Sequence, residues 1–257
     1  SSYGSYEGKH SNSVTHVLSC NFLFRQITMG ASCSMERSTR VDKIRASLAP
    51  TLKEVEQNKT TSLDLVGQCP GNDGAMVVAE VLRAHSSLTS LDLKMNSIQS
   101  LGANAIAKAL MANSSLRSID VFCNSFGNEG AVAIAEALQR NTSLTSCCLG
   151  WNSIGDSGAM AIADALKVNS SLTSLGLEKN RLTDEGAVSI SAALAVNNSL
   201  RSLSLWQNRF SEQGVDALAT ALETSASLTH LDLLGDDDSD GGATQRTDIS
   251  FDSIHGT

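Results

Sequence analysis

Aromatic side chains are scarce in this sequence, at 4% of 257 residues, and there are only two prolines. So little proline excludes long polyproline linkers. An excess of basic residues is missing too. Nineteen Lys and Arg against 27 Asp and Glu leave a net charge of −8. That balance argues against nucleic acid as a partner, because non-specific binding needs clustered cations to displace counterions from phosphates. No run of eighteen apolar residues occurs, so no helix is expected to span a membrane. The mildly apolar stretch 14–24 is broken by polar residues, has no basic segment directly before it, and does not read as a signal peptide. The six cysteines (Cys20, Cys33, Cys69, Cys123, Cys147, Cys148) form neither a C-x-x-C pair nor a cluster that would cap a repeat array with disulfides. A reducing, cytoplasmic setting is the simpler expectation. Five N-x-S/T sequons, at Asn58, Asn113, Asn141, Asn169 and Asn197, point the other way. Four of them recur at one position of a repeat, which the chemistry of that repeat explains better than glycosylation does.

The repeat dominates what is present. From Leu88 the chain reads Leu88-Thr-Ser-Leu91-Asp-Leu93-Lys-Met-Asn96-Ser-Ile98, followed by Gly102-Ala103, Ile106-Ala107 and Ala109-Leu110, and the frame returns every 28 residues. Its first leucine comes back as Leu116, Leu144, Leu172, Leu200 and Leu228. A glycine marks each helix start (Gly74, Gly102, Gly130, Gly158, Gly186, Gly214) and a leucine closes each helix (Leu82, Leu110, Leu138, Leu166, Leu194, Leu222). Leu-x-Leu alternates with period two and predicts a short strand with one buried face. Ala103, Ile106, Ala107 and Leu110 fall on one face of a helix. Asn128, Asp156 and Asp184 stand just before their helices, where a short acceptor is expected to cap free N–H groups. One such unit cannot bury enough apolar surface to fold alone, so stability must come from stacking neighbours. The predicted architecture is an α/β solenoid with seven strands and six helices over residues 60–235.

Asn96, Asn124, Asn152, Asn180 and Asn208 form a column directly after the strands, with Gln68 and Asp236 at its ends. Amides at the bend after a strand can satisfy backbone groups that a regular sheet leaves unpaired, so the column is expected to be structural.

This frame resembles the ribonuclease-inhibitor-like leucine-rich repeats, a family that includes ribonuclease inhibitor, the sensor regions of NOD-like receptors and Ran GTPase-activating protein. The resemblance implies a horseshoe with parallel strands on its concave face and helices on its convex face. It also implies that partners are held on the concave face. The first unit departs from the pattern at Gln68-Cys69-Pro70, and the seventh stops after its strand.

Outside the repeats the sequence is less regular. Residues 1–40 are Ser-rich and unpatterned, and a disordered leader is expected. Ile44, Leu48, Leu52 and Val55 predict a helical cap over 41–59, interrupted at Pro50. Residues 236–257 are acidic and expected to be disordered. There, Asp236-x-Asp238-x-Asp240-Gly241 imitates the start of a calcium loop, but Thr247 stands where the bidentate Glu belongs, so no metal site is expected. Met29 is the first methionine, and Met29-Gly30-Ala31-Ser32-Cys33-Ser34 matches the N-myristoylation signal, with Gly30 as acceptor and Cys33 placed for a second acyl chain. On that reading residues 1–28 precede the true start and the protein sits at the inner face of a membrane. Arg37, Arg40, Lys43 and Arg45 are then available to anionic lipid.

Three columns line the open strand face: Asp64, Asp92, Asp120, Cys148, Gly176, Ser204, Asp232; then Val66, Lys94, Phe122, Gly150, Glu178, Trp206, Leu234; then Gly67, Met95, Cys123, Trp151, Lys179, Gln207, Gly235. Both tryptophans of an aromatic-poor chain fall there, a mark of interface anchors. Asp92, Lys94, Met95, Asp120, Phe122, Trp151, Glu178, Lys179 and Trp206 are therefore the candidate partner-binding residues, and the run Asp64, Asp92, Asp120 favours a basic partner. The five histidines are scattered, and no phosphate loop, nucleophile elbow or metal spacing is present. A non-enzymatic scaffold without cofactor follows, binding another protein as a subunit of a larger complex. The family resemblance adds an alternative, regulation of a small GTPase, for which Arg181 and Arg209 on the loops after the asparagine column are the candidates.

Overall fold

The computed structural model describes residues 37–57, 60–234 and 249–250. After helix α1 (Arg37–Glu56), seven strands alternate with six helices: β1 (Ser62–Asp64), α2 (Gly71–Ala84), β2 (Ser90–Asp92), α3 (Ser100–Ala112), β3 (Ser118–Asp120), α4 (Gly127–Leu138), β4 (Ser146–Cys148), α5 (Asp156–Leu166), β5 (Ser174–Gly176), α6 (Asp184–Leu194), β6 (Ser202–Ser204), α7 (Glu212–Thr224) and β7 (His230–Asp232). The strands form one sheet in sequence order, parallel from β1 to β7, with Leu63 beside Leu91, Leu91 beside Ile119 and Cys147 beside Leu175. A 28-residue period and a 28-residue register are the same fact, seen once in sequence and once in space.

The core lies between the sheet and the helices. Leu65, Leu93, Leu149 and Leu177 are fully buried, as are Ala103, Ile106, Ala159 and Ile162 on the inner helix stripe. Small residues set the spacing between layers. A Cβ on Gly158 would lie 2.7 Å from Ile154 Cγ2 and 2.9 Å from Ala131 Cβ, so only glycine lets α5 sit this close to α4.

Polar ladders tie the repeats together. Asn152 is fully buried; its Nδ2 donates to the carbonyls of Val121 (2.9 Å) and Gly150 (2.9 Å), and its Oδ1 accepts from Phe126 N–H. Asn124 and Asn180 likewise bond to their own repeat and to the one before. The column therefore satisfies its own bend and also rivets neighbours together. A second ladder runs at the other end of the helices. Buried Asn113, Asn141, Asn169 and Asn197, each just after the helix of its own repeat, donate Nδ2 to a carbonyl near the end of the helix one repeat back, as Asn141 does to Leu110 at 2.7 Å, and each accepts two backbone N–H groups through Oδ1. These are the sequon asparagines. A glycan on Nδ2 would destroy buried bonds, so these sequons are structural in the folded protein. Asn58 lies outside the described residues.

Helix capping differs from the sequence reading. Asn128, Asp156 and Asp184 do not cap their own helices. Asn128 Oδ1 accepts from Gly155 N–H (2.7 Å), Asp156 Oδ1 from Thr183 and Gly186 N–H (2.8 and 3.0 Å), and Asp184 Oδ1 from Ser211 N–H (2.8 Å), all at the start of the next helix. Asn72 does the same for Gln99 and Gly102. Stacking brings each acceptor closer to the neighbouring helix's orphan donors than to its own.

The ends also depart from expectation. α1 begins at Arg37 rather than 41, and Pro50 lies inside it without breaking it. Leu48, Leu52 and Val55 are buried and hold the helix across the proline. Arg37 and Arg40 pair with Asp73 and Arg45 with Glu80, so three of the four cations assigned to lipid are engaged with α2. Within the segment expected to be a disordered tail, Ile249–Ser250 forms β8, antiparallel to β7. Gly30, Cys33 and the calcium-loop mimic lie outside the described residues. None of the helices among the described residues is long and apolar enough to cross a membrane.

Candidate partner-binding face

The strand face is built by the turn that follows each strand. Asp64, Asp92 and Asp120 each fold a carboxylate oxygen back onto the backbone N–H two residues on, as Asp120 does to Phe122 at 2.9 Å. This column has a structural task besides its charge. Next, the chain turns through the left-handed region at Met95, Cys123, Trp151, Lys179 and Gln207, with φ between 51° and 59°. Gly67 takes the same conformation in the first repeat at φ 65°. The middle repeats thus place side chains where glycine is the unstrained choice.

The predicted residues fall into two connected groups. Lys94 Nζ bridges Asp92 (2.8 Å) and Asp120 (3.2 Å). Burial opposes its charge, but the bond to Asp92 and the charges of Asp120 and Asp92 outweigh it and hold its pKa above the usual value. Half-buried Met95 lies beside it in the third column. In the second group, Phe122 and Trp151 meet edge to face with centroids 5.9 Å apart, and Trp151 is 50% exposed. Lys179 Nζ lies 5.3 Å from the Trp151 ring centroid and 4.6 Å from that of Trp206. Two tryptophans 55 residues apart in sequence therefore hold one ammonium between them. Arg181 and Arg209 are exposed on the rim loops.

Glu178 is the exception. Its position in the second column predicts an open residue, yet it is only 8% exposed. The reason lies in its neighbours. In repeats four and five the aspartate column is replaced by Cys148 and Gly176, and the adjoining column by Gly150. A Cβ on Gly150 would overlap the Glu178 carboxylate, and one on Gly176 would lie 2.7 Å from Oε2. The side chain lies down in the notch these glycines leave. Cys148 Sγ–H donates to Oε1 (3.4 Å), Oε2 is closed to solvent and finds no donor within hydrogen-bond distance, and the nearby Ser204 hydroxyl donates to Asp232 (3.4 Å). Burial pushes the Glu178 carboxyl above the usual carboxylate range, and Asp120 adds to the shift, against opposing interactions with its own N–H, the Cys148 thiol and the Ser204 hydroxyl. Burial likewise pushes up the thiols of Cys148 and Cys123, and that of Cys147 to about 12, so none of the three is an activated nucleophile. No set of three or more His, Cys, Asp or Glu among the described residues is arranged to hold a metal ion.

Four segments, 84–107, 112–135, 140–163 and 168–191, match the family model of the leucine-rich repeat. These four segments are leucine-rich repeats. The matched repeats carry Asp92, Lys94, Phe122, Trp151 and Glu178, so most of the candidate face is built on them. Similar solved structures include leiomodin-1 actin-binding site 2, at 27% identity over 51% of this chain and 79% of that one, with a TM-score of 0.48. Another is the tropomodulin C-terminal domain of Caenorhabditis elegans, at 15% identity over 62% of this chain and 92% of that one, with a TM-score of 0.45. Neither superposition is close enough to name a partner for these leucine-rich repeats. No curated protein matches the chain.

Proposed function

We propose that this leucine-rich-repeat chain is a protein-binding scaffold or adaptor that holds its partner on the strand face. One observation carries the reading. Trp151, half-exposed and with Lys179 Nζ over its ring, stands at a left-handed turn position where glycine would be less strained. A large, half-exposed aromatic side chain that serves neither core nor helix, beside Phe122 and Lys179 on the strand face, is the kind of residue that anchors interfaces. Hydroxyl-radical footprinting of the complex recovered from the source organism tests it. Trp151 and Trp206 should be protected by the partner, and Met160, which is exposed on the helix face, should oxidise as before. Protection of Met160 with the tryptophans unchanged would move the interface to the helices.

Membrane tethering is the second part of the proposal, supported by the signal at Met29-Gly30 and by Cys33 three residues on. A single myristoyl chain anchors only marginally, so Cys33 acylation or a basic patch is needed as well. Expression from Met29 in a eukaryotic cell should yield an intact mass that includes a myristoyl group on Gly30. An unmodified or acetylated terminus, or a mature terminus elsewhere, rules the tether out.

A further inference from the structure

Glu178 is 8% exposed, and its Oε2 is closed to solvent with no donor within hydrogen-bond distance. Such a place suits the neutral acid, because an unpaired charge out of water costs far more than an unpaired polar group. The notch is shaped to the side chain. Gly150 and Gly176 leave the room, and the Phe122 ring closes one side, its Cδ2 lying 2.6 Å from where a Cβ on Gly150 would stand. Cys148 on β4 gives Oε1 only a weak Sγ–H donor. The charges around the notch favour the proton as well. Asp120 on β3 faces the carboxyl, and Ser204 on β6, near it, is bonded to Asp232 on β7. Lys94 is held by Asp92 and Asp120, and Lys179 turns its ammonium to the two tryptophans. No lysine or arginine among the described residues forms an ion pair with Glu178. Yet its column faces the open strand side, so rotation of a flexible side chain is enough to carry the carboxylate into water.

We infer that Glu178 is a proton-operated latch on the strand face: as the neutral acid it lies in the Gly150–Gly176 notch, and on losing its proton it swings out into solvent beside Lys179. The group of Phe122, Trp151, Lys179 and Trp206 then changes from positive to neutral, since Lys179 is its only charge while the latch is closed. Burial first, and Asp120 after it, hold the folded-state pKa above the usual carboxylate range. Between the unfolded and folded values the native state therefore holds the extra proton, and stability falls as pH rises through that window. The latch belongs to the chain alone and acts whether or not a partner docks on this face.

The test titrates the full chain, isotope-labelled at its glutamate carboxyls, by nuclear magnetic resonance, with tryptophan emission read on the same samples. Trp151 meets the Phe122 wall edge to face, so its emission senses the notch. Two variants fix the latch in its two positions. Glu178→Gln cannot ionise and keeps the shape that fills the notch. Gly176→Ala places a Cβ 2.7 Å from Oε2, the free end of a flexible side chain, and 3.3 Å from Cys148 Sγ, so the carboxylate is evicted while the backbone stays. The resonance missing from Glu178→Gln identifies Glu178. It should titrate above the usual carboxylate range in the parent and within that range in Gly176→Ala. Parent emission should step at the same pH, from a plateau shared with Glu178→Gln to one shared with Gly176→Ala, and neither variant should show the step. An ordinary midpoint in the parent, no emission step, or a step that persists in Glu178→Gln overturns the inference. So does a raised midpoint retained in Gly176→Ala, or an alkaline plateau unlike that of this variant, which would mean ionisation inside the notch. The parent titration and Glu178→Gln still decide the matter if Gly176→Ala does not fold.

Discussion

Asn152→Ala should destabilise the array by about 2–3 kcal/mol, the upper part of the range for leaving buried polar groups unpaired. Asn152 is fully buried; its removal strands the N–H of Phe126 and takes one of two donors from each of the carbonyls of Val121, Leu149 and Gly150. In the parent the amide is closed off from bulk solvent. For a chain of this size the loss corresponds to a fall in melting temperature of roughly 5–10 °C. Asn208 supplies the internal comparison. It holds the same place in the column but is only half-buried, so solvent can take over part of its bonding. Asn208→Ala should cost clearly less. Thermal denaturation of the two variants side by side decides the matter. Equal midpoints, or Asn208→Ala the more damaging, would show that the ladder is not what fixes the bend.

Trp151→Ala and Trp206→Ala should each weaken partner binding by about 2 kcal/mol or more, roughly thirtyfold in affinity. Folding should respond little. Trp151 loses its edge contact with Phe122 and its place over Lys179, interactions worth about 1 kcal/mol at an exposed site. Trp151→Gly separates the two effects further. Glycine relieves a left-handed backbone strain of about 1 kcal/mol, against a similar entropic cost in the unfolded chain. Its melting temperature should stay near that of the parent although the anchor is gone. Binding to the captured partner and thermal melting are measured on the same preparations. Normal binding by all three variants, or a large loss of stability in all three, would make the patch packing rather than interface.

The repeat frame was legible in the sequence because apolar burial is periodic and each period appears directly in the residues. The strands, six of the helices and the bend asparagines follow from it. What sequence columns hide is which neighbour a polar side chain serves. Asn128, Asp156 and Asp184 look like caps and are caps, but of the following helix, since stacking decides the distance and sequence adjacency does not. Asn141 and its equivalents were visible only as sequons; their 28-residue recurrence was the available signal for a second ladder. The open column predicts an open Glu178, and the side chain is buried. Gly150 and Gly176 stood in the neighbouring columns all along, and two missing side chains flanking one acid mark a place where that acid can lie down.

The cross-repeat bonds set a rule for how the molecule can change length. The side-chain bonds of the amide column that cross between repeats join residues 26 to 31 positions apart, with the amide of each unit addressed to its neighbour. Duplicating any 28-residue window inside the array leaves each donor with an acceptor of the same type one step along. An insertion of 27 or 29 residues in the strand or its turn leaves the same chemistry facing the wrong atoms. The scaffold is therefore quantised: it grows or shrinks by whole units at little cost and resists almost any other change of length, which lets the span of the strand face vary while its local geometry stays fixed.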